Sequence, residues 1–227
     1  MASAQNSPSF GKDERPNGQQ TFNHSDPIKA ETQNRGPAAR PLLVLASASP
    51  RRRILLQEHG YEFEVRVPAG VEEIAPAHFS PGETVLANAR AKARACDVRR
   101  AGEIVIGVDT EVFFQGRVLG KPADMDAAFA MLRRLNGRTH EVYSGVWVVG
   151  RGRERGFIEV TRVRFHRRSD AELKRYLARI HPLDKAGAYA AQEDRGEMIA
   201  SVVGSFSNVI GLPMERLREE LRAFGIS

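Results

Sequence analysis

Leu42-Leu43-Val44-Leu45-Ala46-Ser47-Ala48-Ser49-Pro50-Arg51-Arg52-Arg53 is the stretch on which the fold turns. Its first five residues are a continuous apolar run that suits a short buried strand. Ser47 to Pro50 then supply an N-cap and a proline at the first helical position. The pattern predicts a helix from Pro50 toward His59, stopped at Gly60. A strand feeding a capped helix aims free backbone N–H groups at one point, and that point favours an anion such as a phosphate. The hydroxyls of Ser47 and Ser49 and the adjacent guanidiniums add donors suited to phosphate oxygens. The same residues also make an ordinary helix start with solvated arginines, and the pattern alone does not choose. A Walker loop is excluded, because no G-x-x-x-x-G-K-[ST] occurs.

Working outward, Tyr61 to Val67 alternates as a strand. Thr84 to Ala101 is Ala-rich and predicts a helix, and Glu103 to Val108 a buried strand ending at Asp109. Val112 to Leu119 reads as a hairpin turning near Gly116. Asp126 to Leu135 is a helix with Phe129, Leu132 and Leu135 on its apolar face and Gly137 as its stop. His140 to Val149 and Phe157 to His166 are strands around a Gly/Arg turn. Ser169-Asp170-Ala171-Glu172 is a capping box opening a helix to Ile180. Met198 to Val203 is a strand, and Pro213 precedes a last helix, Met214 to Phe224. Strands and helices intermix, which predicts an α/β fold with a mixed sheet. Residues 1–40 differ: their only large apolar residues are Met1, Phe10, Phe22 and Ile28. They are expected to be a disordered N-terminal extension before one domain over residues 41–227.

Composition narrows the chemistry. The 227 residues include 34 Lys and Arg against 28 Asp and Glu, 41% hydrophobic residues and one cysteine. No stretch approaches the roughly 18 apolar residues of a membrane span, so no membrane partner is expected. A single cysteine makes neither an internal disulfide nor a Cys-rich zinc site. Met1 to Gly11 lacks the apolar core of a secretory signal, and a cytoplasmic setting is expected. There is no H-E-x-x-H metal motif and no G-x-S-x-G elbow. Cys96 reads as a packed thiol in mid-helix and Trp147 as a core residue. The formal charge of +6 is modest. It gathers in Arg51–Arg53, Arg151–Arg155 and Arg162–Arg168, which suit nucleic acid, a phosphorylated small molecule or simply a solvated face.

Further candidates follow along the chain. Asp109-Thr110, at the expected end of a buried strand, stands where open α/β sheets place ligands. Such an aspartate holds a divalent metal, activates a water or caps a turn. Lys121, in Gly120-Lys121-Pro122, is a phosphate contact or a solvated turn lysine. In Asp184-Lys185-Ala186-Gly187-Ala188-Tyr189-Ala190-Ala191-Gln192, small residues permit close approach of a ligand or close packing of a loop. Gln192 carries both a donor and an acceptor with which to read a base edge. Gly204 to Pro213 is another Gly-bounded turn into a helix.

Taken together, these segments resemble the Maf family of nucleoside triphosphate pyrophosphatases. The motifs are Leu45-Ala46-Ser47-Ala48-Ser49-Pro50-Arg51-Arg52, Gly107-Val108-Asp109-Thr110, Gly120-Lys121-Pro122, Asp184 to Tyr189 with Gln192, and Asn208-Val209-Ile210-Gly211-Leu212-Pro213. Each alone is weak; all in order, over about residues 41–225, are specific. The resemblance implies two α/β lobes around a long mixed sheet with a central cleft, similar to inosine triphosphate pyrophosphatases. It implies hydrolysis between the α and β phosphates to a monophosphate and pyrophosphate, a divalent metal (Mg2+ or Mn2+), and a homodimer.

Asp109 matches the family's proposed general base, and Glu73, Lys92 and Lys121 its other charged site positions. Arg51, Thr110 and Gln192 match the positions that mark the branch acting on dTTP and UTP. The branch acting on 7-methyl-GTP carries Gln and Glu where this chain has Thr110 and Gln192. On this resemblance Ser47, Arg52, Lys92 and Lys121 meet the phosphates, and Glu73 and Asp109 meet the metal. Gln192 and Thr110 pair with the O4 and N3–H edge shared by uracil and thymine. The chain departs from the branch at Glu193-Asp194-Arg195-Gly196, where Gly usually follows the Gln, and at Ser144-Gly145-Val146, where Thr-Ala-Val is usual. Both departures bear on the base pocket. Two alternatives remain: the same chemistry on 7-methyl-GTP or a broader nucleotide set, and a nucleotide- or nucleic-acid-binding division regulator without turnover. The acid–lysine set favours an enzyme, and nucleic acid is not the expected partner.

Overall fold

The computed structural model describes residues 43–74 and 80–226; the extension expected over residues 1–40 lies outside them. In chain order the elements are β1 (Leu43–Ala46), α1 (Pro50–Glu58), β2 (Phe63–Val65), α2 (Pro81–Arg94), β3 (Ile104–Phe114), β4 (Arg117–Leu119) and α3 (Met125–Leu135). Then come β5 (Thr139–Gly150), β6 (Arg153–Phe165), α4 (Asp170–Arg179), β7 (Ile199–Val203), α5 (Phe206–Ile210) and α6 (Met214–Ala223). The strands form one mixed sheet in the order β2-β1-β3-β5-β6-β7, with β4 on the β1 side of β3. β1 runs parallel to β2 and β3, and the other pairings are antiparallel.

Side-chain alternation explains where a cleft can open. Ile104, Ile106 and Val108 share one face of β3 with Val112 and Phe114, and Thr110 lies between the two groups. The first group packs with Leu55 and Leu56 of α1 and Leu217 and Leu221 of α6. The second packs with Leu132 of α3 and Leu173 of α4. β5 repeats the pattern, with Val146 and Val148 in the first core, Val142 in the second, and Ser144 between them. Thr110 and Ser144 are paired in register. A polar seam therefore crosses the sheet between two apolar cores.

The other face of the sheet carries α2. It passes so close that a Cβ on Gly107 would lie 2.1 Å from the Ala89 carbonyl oxygen, and one on Gly145 would lie 2.3 Å from that of Val85. Only glycine leaves room for backbone at this distance. This approach brings the polar side of α2 against Asp109.

Some boundaries move. β3 does not end at Asp109 but continues through it into the hairpin, because the ladder to β5 runs unbroken from Ile104 to Phe113. α2 starts earlier than Thr84, since Ser80 and Glu83 form a capping box ahead of it. It stops at Arg94, short of Ala101. The chain beyond is gathered around the buried Glu103, which accepts from Arg66 at 2.9 and 3.1 Å and from the Arg99 N–H at 2.8 Å. That charged pair holds the Glu103 carboxyl down to about 2, chiefly through the Arg66 hydrogen bond. Cys96 is buried as expected, but just past the helix, its thiol 3.6 Å from the Arg66 carbonyl oxygen. Trp147 is only partly buried, with Arg90 over its ring and its N–H donated to Glu154. Among the described residues no helix is long and apolar enough to cross a membrane.

Candidate active site

The site begins at a gap in the sheet. On one edge of β3 the pairing with β1 ends at Gly107, and that with β4 begins at Val112. Among the described residues the intervening backbone has no strand partner on that side, and side chains take its place. A cavity of about 390 Å3 opens there, with an equal one adjoining it. Arg51, Arg52, Glu73, Lys92, Asp109, Thr110, Lys121 and Gln192 all line the first, and Ser47 lines the second. Every candidate site residue named from the sequence thus comes to one place. Asp109 and Thr110, adjacent on β3, face opposite sides of the sheet and meet the cavity through the gap.

The acidic side is built on α2. Lys92 Nζ lies 2.7 Å from Asp109 Oδ1 and 2.7 Å from Glu73 Oε1. The buried Asn88, one turn earlier, donates to Asp109 Oδ2 at 3.0 Å and accepts from the Ile74 N–H at 2.8 Å. One amide thus orients the aspartate and fixes the chain beside Glu73. Glu111, two residues beyond Asp109 on the same face, also lines the cavity, and its Oε2 is buried without a partner among the described residues. Burial, together with the charges of Asp109 and Glu73, pushes its carboxyl up to about 7. Sequence reading missed both Asn88 and Glu111. The available signal was polar residues on otherwise buried faces.

The basic side is less free than expected. The Arg52 guanidinium donates to Ser47 Oγ at 2.8 Å, the Val108 carbonyl at 3.1 Å, Thr110 Oγ1 at 3.1 Å and the Gly211 carbonyl at 2.9 Å. The Val108 oxygen is one of those the missing strand leaves open. All but one of the guanidinium N–H groups are thus committed to the protein. Burial lowers Arg52 to about 10, against the pull of Asp109. Ser49 does not cap α1 with its side chain; its N–H instead donates to Ser47 Oγ at 3.3 Å. Arg51 reaches across the mouth to Asp184 Oδ2 at 2.9 Å. Lys121 is exposed on the rim, where its loop is tied by the Gly187 N–H to the Gly120 carbonyl.

The remaining wall carries the groups suited to a base. Gln192 is exposed on a short 3-10 turn, Ala191–Glu193, and its side chain makes no hydrogen bond among the described residues. In the divergent loop after it, Asp194 points inward and accepts from the Met198 and Ile199 N–H groups at 2.9 Å each. This acid is spent on the start of β7. Tyr189 lines the same wall with its hydroxyl 3.0 Å from Nε2 of the buried His140.

A family model described as Maf-like protein matches residues 42–224. The chain belongs to the Maf family. A dTTP/UTP pyrophosphatase of Pelotomaculum thermopropionicum is 44% identical over 185 residues, covering 81% of this chain and 96% of its own. One of Bacillus cereus is 40% identical over 184 residues, covering 81% and 96%. A solved Ham1 protein of Staphylococcus aureus overlaps 80% of this chain and 98% of its own at 16% identity and a TM-score of 0.45, too low to bear on the fold.

The divalent metal expected of a Maf protein can be tested against these side chains. Among the described residues no group of three or more His, Cys, Asp or Glu is placed to hold a metal by itself. Mg2+ needs no such cage: it is commonly bound by one or two carboxylates plus substrate phosphates. Glu73 and Asp109 supply two hard oxygen donors, and both face the cavity beside Lys92. This donor set fits a metal that arrives with a triphosphate.

Proposed function

We propose that this Maf protein is a nucleoside triphosphate pyrophosphatase that cleaves dTTP and UTP to the monophosphate and pyrophosphate. The observation that carries the reading is the cavity in the β3 edge. It joins an acid–lysine–acid group, Glu73–Lys92–Asp109, to a mouth of basic residues and to the Gln192 amide, which makes no hydrogen bond among the described residues. Relatives at 40–44% identity over nearly their whole length bear the corresponding name.

Each part has a chemical task. The triphosphate is polyanionic; Arg51 and Lys121 meet it at the mouth, and Lys92 and the hydroxyl of Ser47 further in. Asp109, with both oxygens held by Lys92 and Asn88, orients a water against the α–β anhydride and takes its proton. A divalent metal on Glu73 and Asp109 would offset charge on the phosphates. The Gln192 amide offers an N–H to O4 of uracil or thymine and an oxygen to N3–H. Cytosine presents the reverse pattern and requires the amide to turn over.

Product identity tests the reaction. With UTP and Mg2+ or Mn2+, UMP and pyrophosphate in equal amounts are expected. UDP and inorganic phosphate would contradict the assignment, as would no turnover by folded protein.

A further inference from the structure

We propose that Ser144 tunes the base preference without touching the base, as a positioning residue that acts through Thr110 on the Gly211 wall of the cavity. The proposal rests on the pyrimidine reading above and concerns how that selectivity is built.

Three contacts hold the Thr110 hydroxyl. A threonine hydroxyl has one proton and two lone pairs. Thr110 Oγ1 lies 3.2 Å from the Gly211 carbonyl oxygen and accepts from Arg52 at 3.1 Å. Ser144 Oγ lies 2.8 Å away. Either hydroxyl can donate across this contact, and the Thr110 hydroxyl is surrounded by three protein partners.

The other end of this network is a wall of the cavity. Gly211 carries φ +125, a left-handed backbone that favours glycine, and its carbonyl also accepts from Arg52 at 2.9 Å. With Val209 and Ile210 it lines the same cavity as Gln192, and the helix ending at Ile210 packs against the turn that carries Gln192. Asn208 anchors the same segment, donating to the Val142 carbonyl and to Thr161 Oγ1 at 3.0 Å each. Ser144 is fully buried and absent from the lining, so it reaches the cavity only through Thr110.

The test is the ratio of kcat/KM for UTP to that for CTP, in wild type, Thr110→Ser, Thr110→Val and Ser144→Ala. A ratio does not depend on the fraction of protein that is active, so a merely structural defect leaves it alone. Ser144→Ala and Thr110→Val are expected to move it in the same direction by about fivefold, the size of effect typical of residues that act on a ligand through a neighbour, with Thr110→Ser at the wild-type ratio. A wild-type ratio in Ser144→Ala overturns the proposal, whatever Thr110→Val does. If Thr110→Val fails to fold, Ser144→Ala decides alone. Wild-type enzyme with no preference for UTP would instead sink the pyrimidine reading, and the proposal with it.

Discussion

Lys92 Nζ sits 2.7 Å from Asp109 Oδ1, on the side of the sheet where α2 crosses β3 over Gly107. The contact joins the main acid of the site to its main cation. Asn88 holds the second carboxylate oxygen, so the geometry of Asp109 is fixed from both ends. Asp109→Asn keeps the shape and the Asn88 neighbour but removes the charge and the proton acceptor. It is expected to lower kcat about a thousandfold while the thermal midpoint stays within a few degrees. Pyrophosphate release and thermal denaturation check the two halves, and retained turnover would remove Asp109 from the mechanism.

Glu111 predicts a gain in stability from a loss of charge. Its folded carboxyl titrates near 7, above the unfolded value, so the folded state is penalised once the pH exceeds the unfolded pKa. Glu111→Gln is therefore expected to stabilise the metal-free protein at pH 8 by about 1 kcal/mol, allowing for solvent screening. The gain should disappear below about pH 4.5, where both states carry the proton. Thermal midpoints across that range measure it; a gain that persists in acid would rule out the buried charge as its cause.

Much of the site was legible in the sequence, because Ser47 to Arg52, Asp109-Thr110, Lys121 and Gln192 lie in short motifs with local meaning. What was not legible depends on distant partners. Asp109 looked like a strand end because polar residues interrupt an apolar run there. The ladder to β5 carries the strand through, and nothing near Asp109 in the chain reports it. Arg52 looked free for phosphate, yet its acceptors include Val108, Thr110 and Gly211, residues the fold alone brings near. Asn88, Glu111 and Ser144 carry no motif. Each matters through the residue facing it across a helix–sheet or strand–strand contact.

His140 gives the acid limb of stability. Burial holds its imidazole near 4, against about 6.5 when unfolded, and Nδ1 has no partner among the described residues. The neutral ring contributes stability in full above pH 6.5, and this is lost as the pH falls through 4, amounting to about 3 kcal/mol at most. Thermal midpoints should fall over that window, and His140→Phe should flatten the slope. An unchanged slope would mean that the ring takes up its proton without cost.

Close packing of α2 sets a further expectation. Gly107→Val would force β3 and the helix apart at a contact that is already backbone on backbone, and is expected to cost about 3 kcal/mol or more. It should also displace Lys92 from Asp109, so turnover falls along with stability. Chemical denaturation and pyrophosphate release report the two effects, and a neutral substitution would show that the helix can shift freely.

The most direct measurement is pyrophosphate release from dTTP, UTP, CTP, GTP, ATP and 7-methyl-GTP, with Mg2+ or Mn2+, beside Asp109→Asn. Release from dTTP and UTP is expected well above that from the other nucleotides, with almost none from the variant. Equal release from all six nucleotides, or none from folded wild-type protein, would contradict a pyrimidine-selective pyrophosphatase built on Asp109.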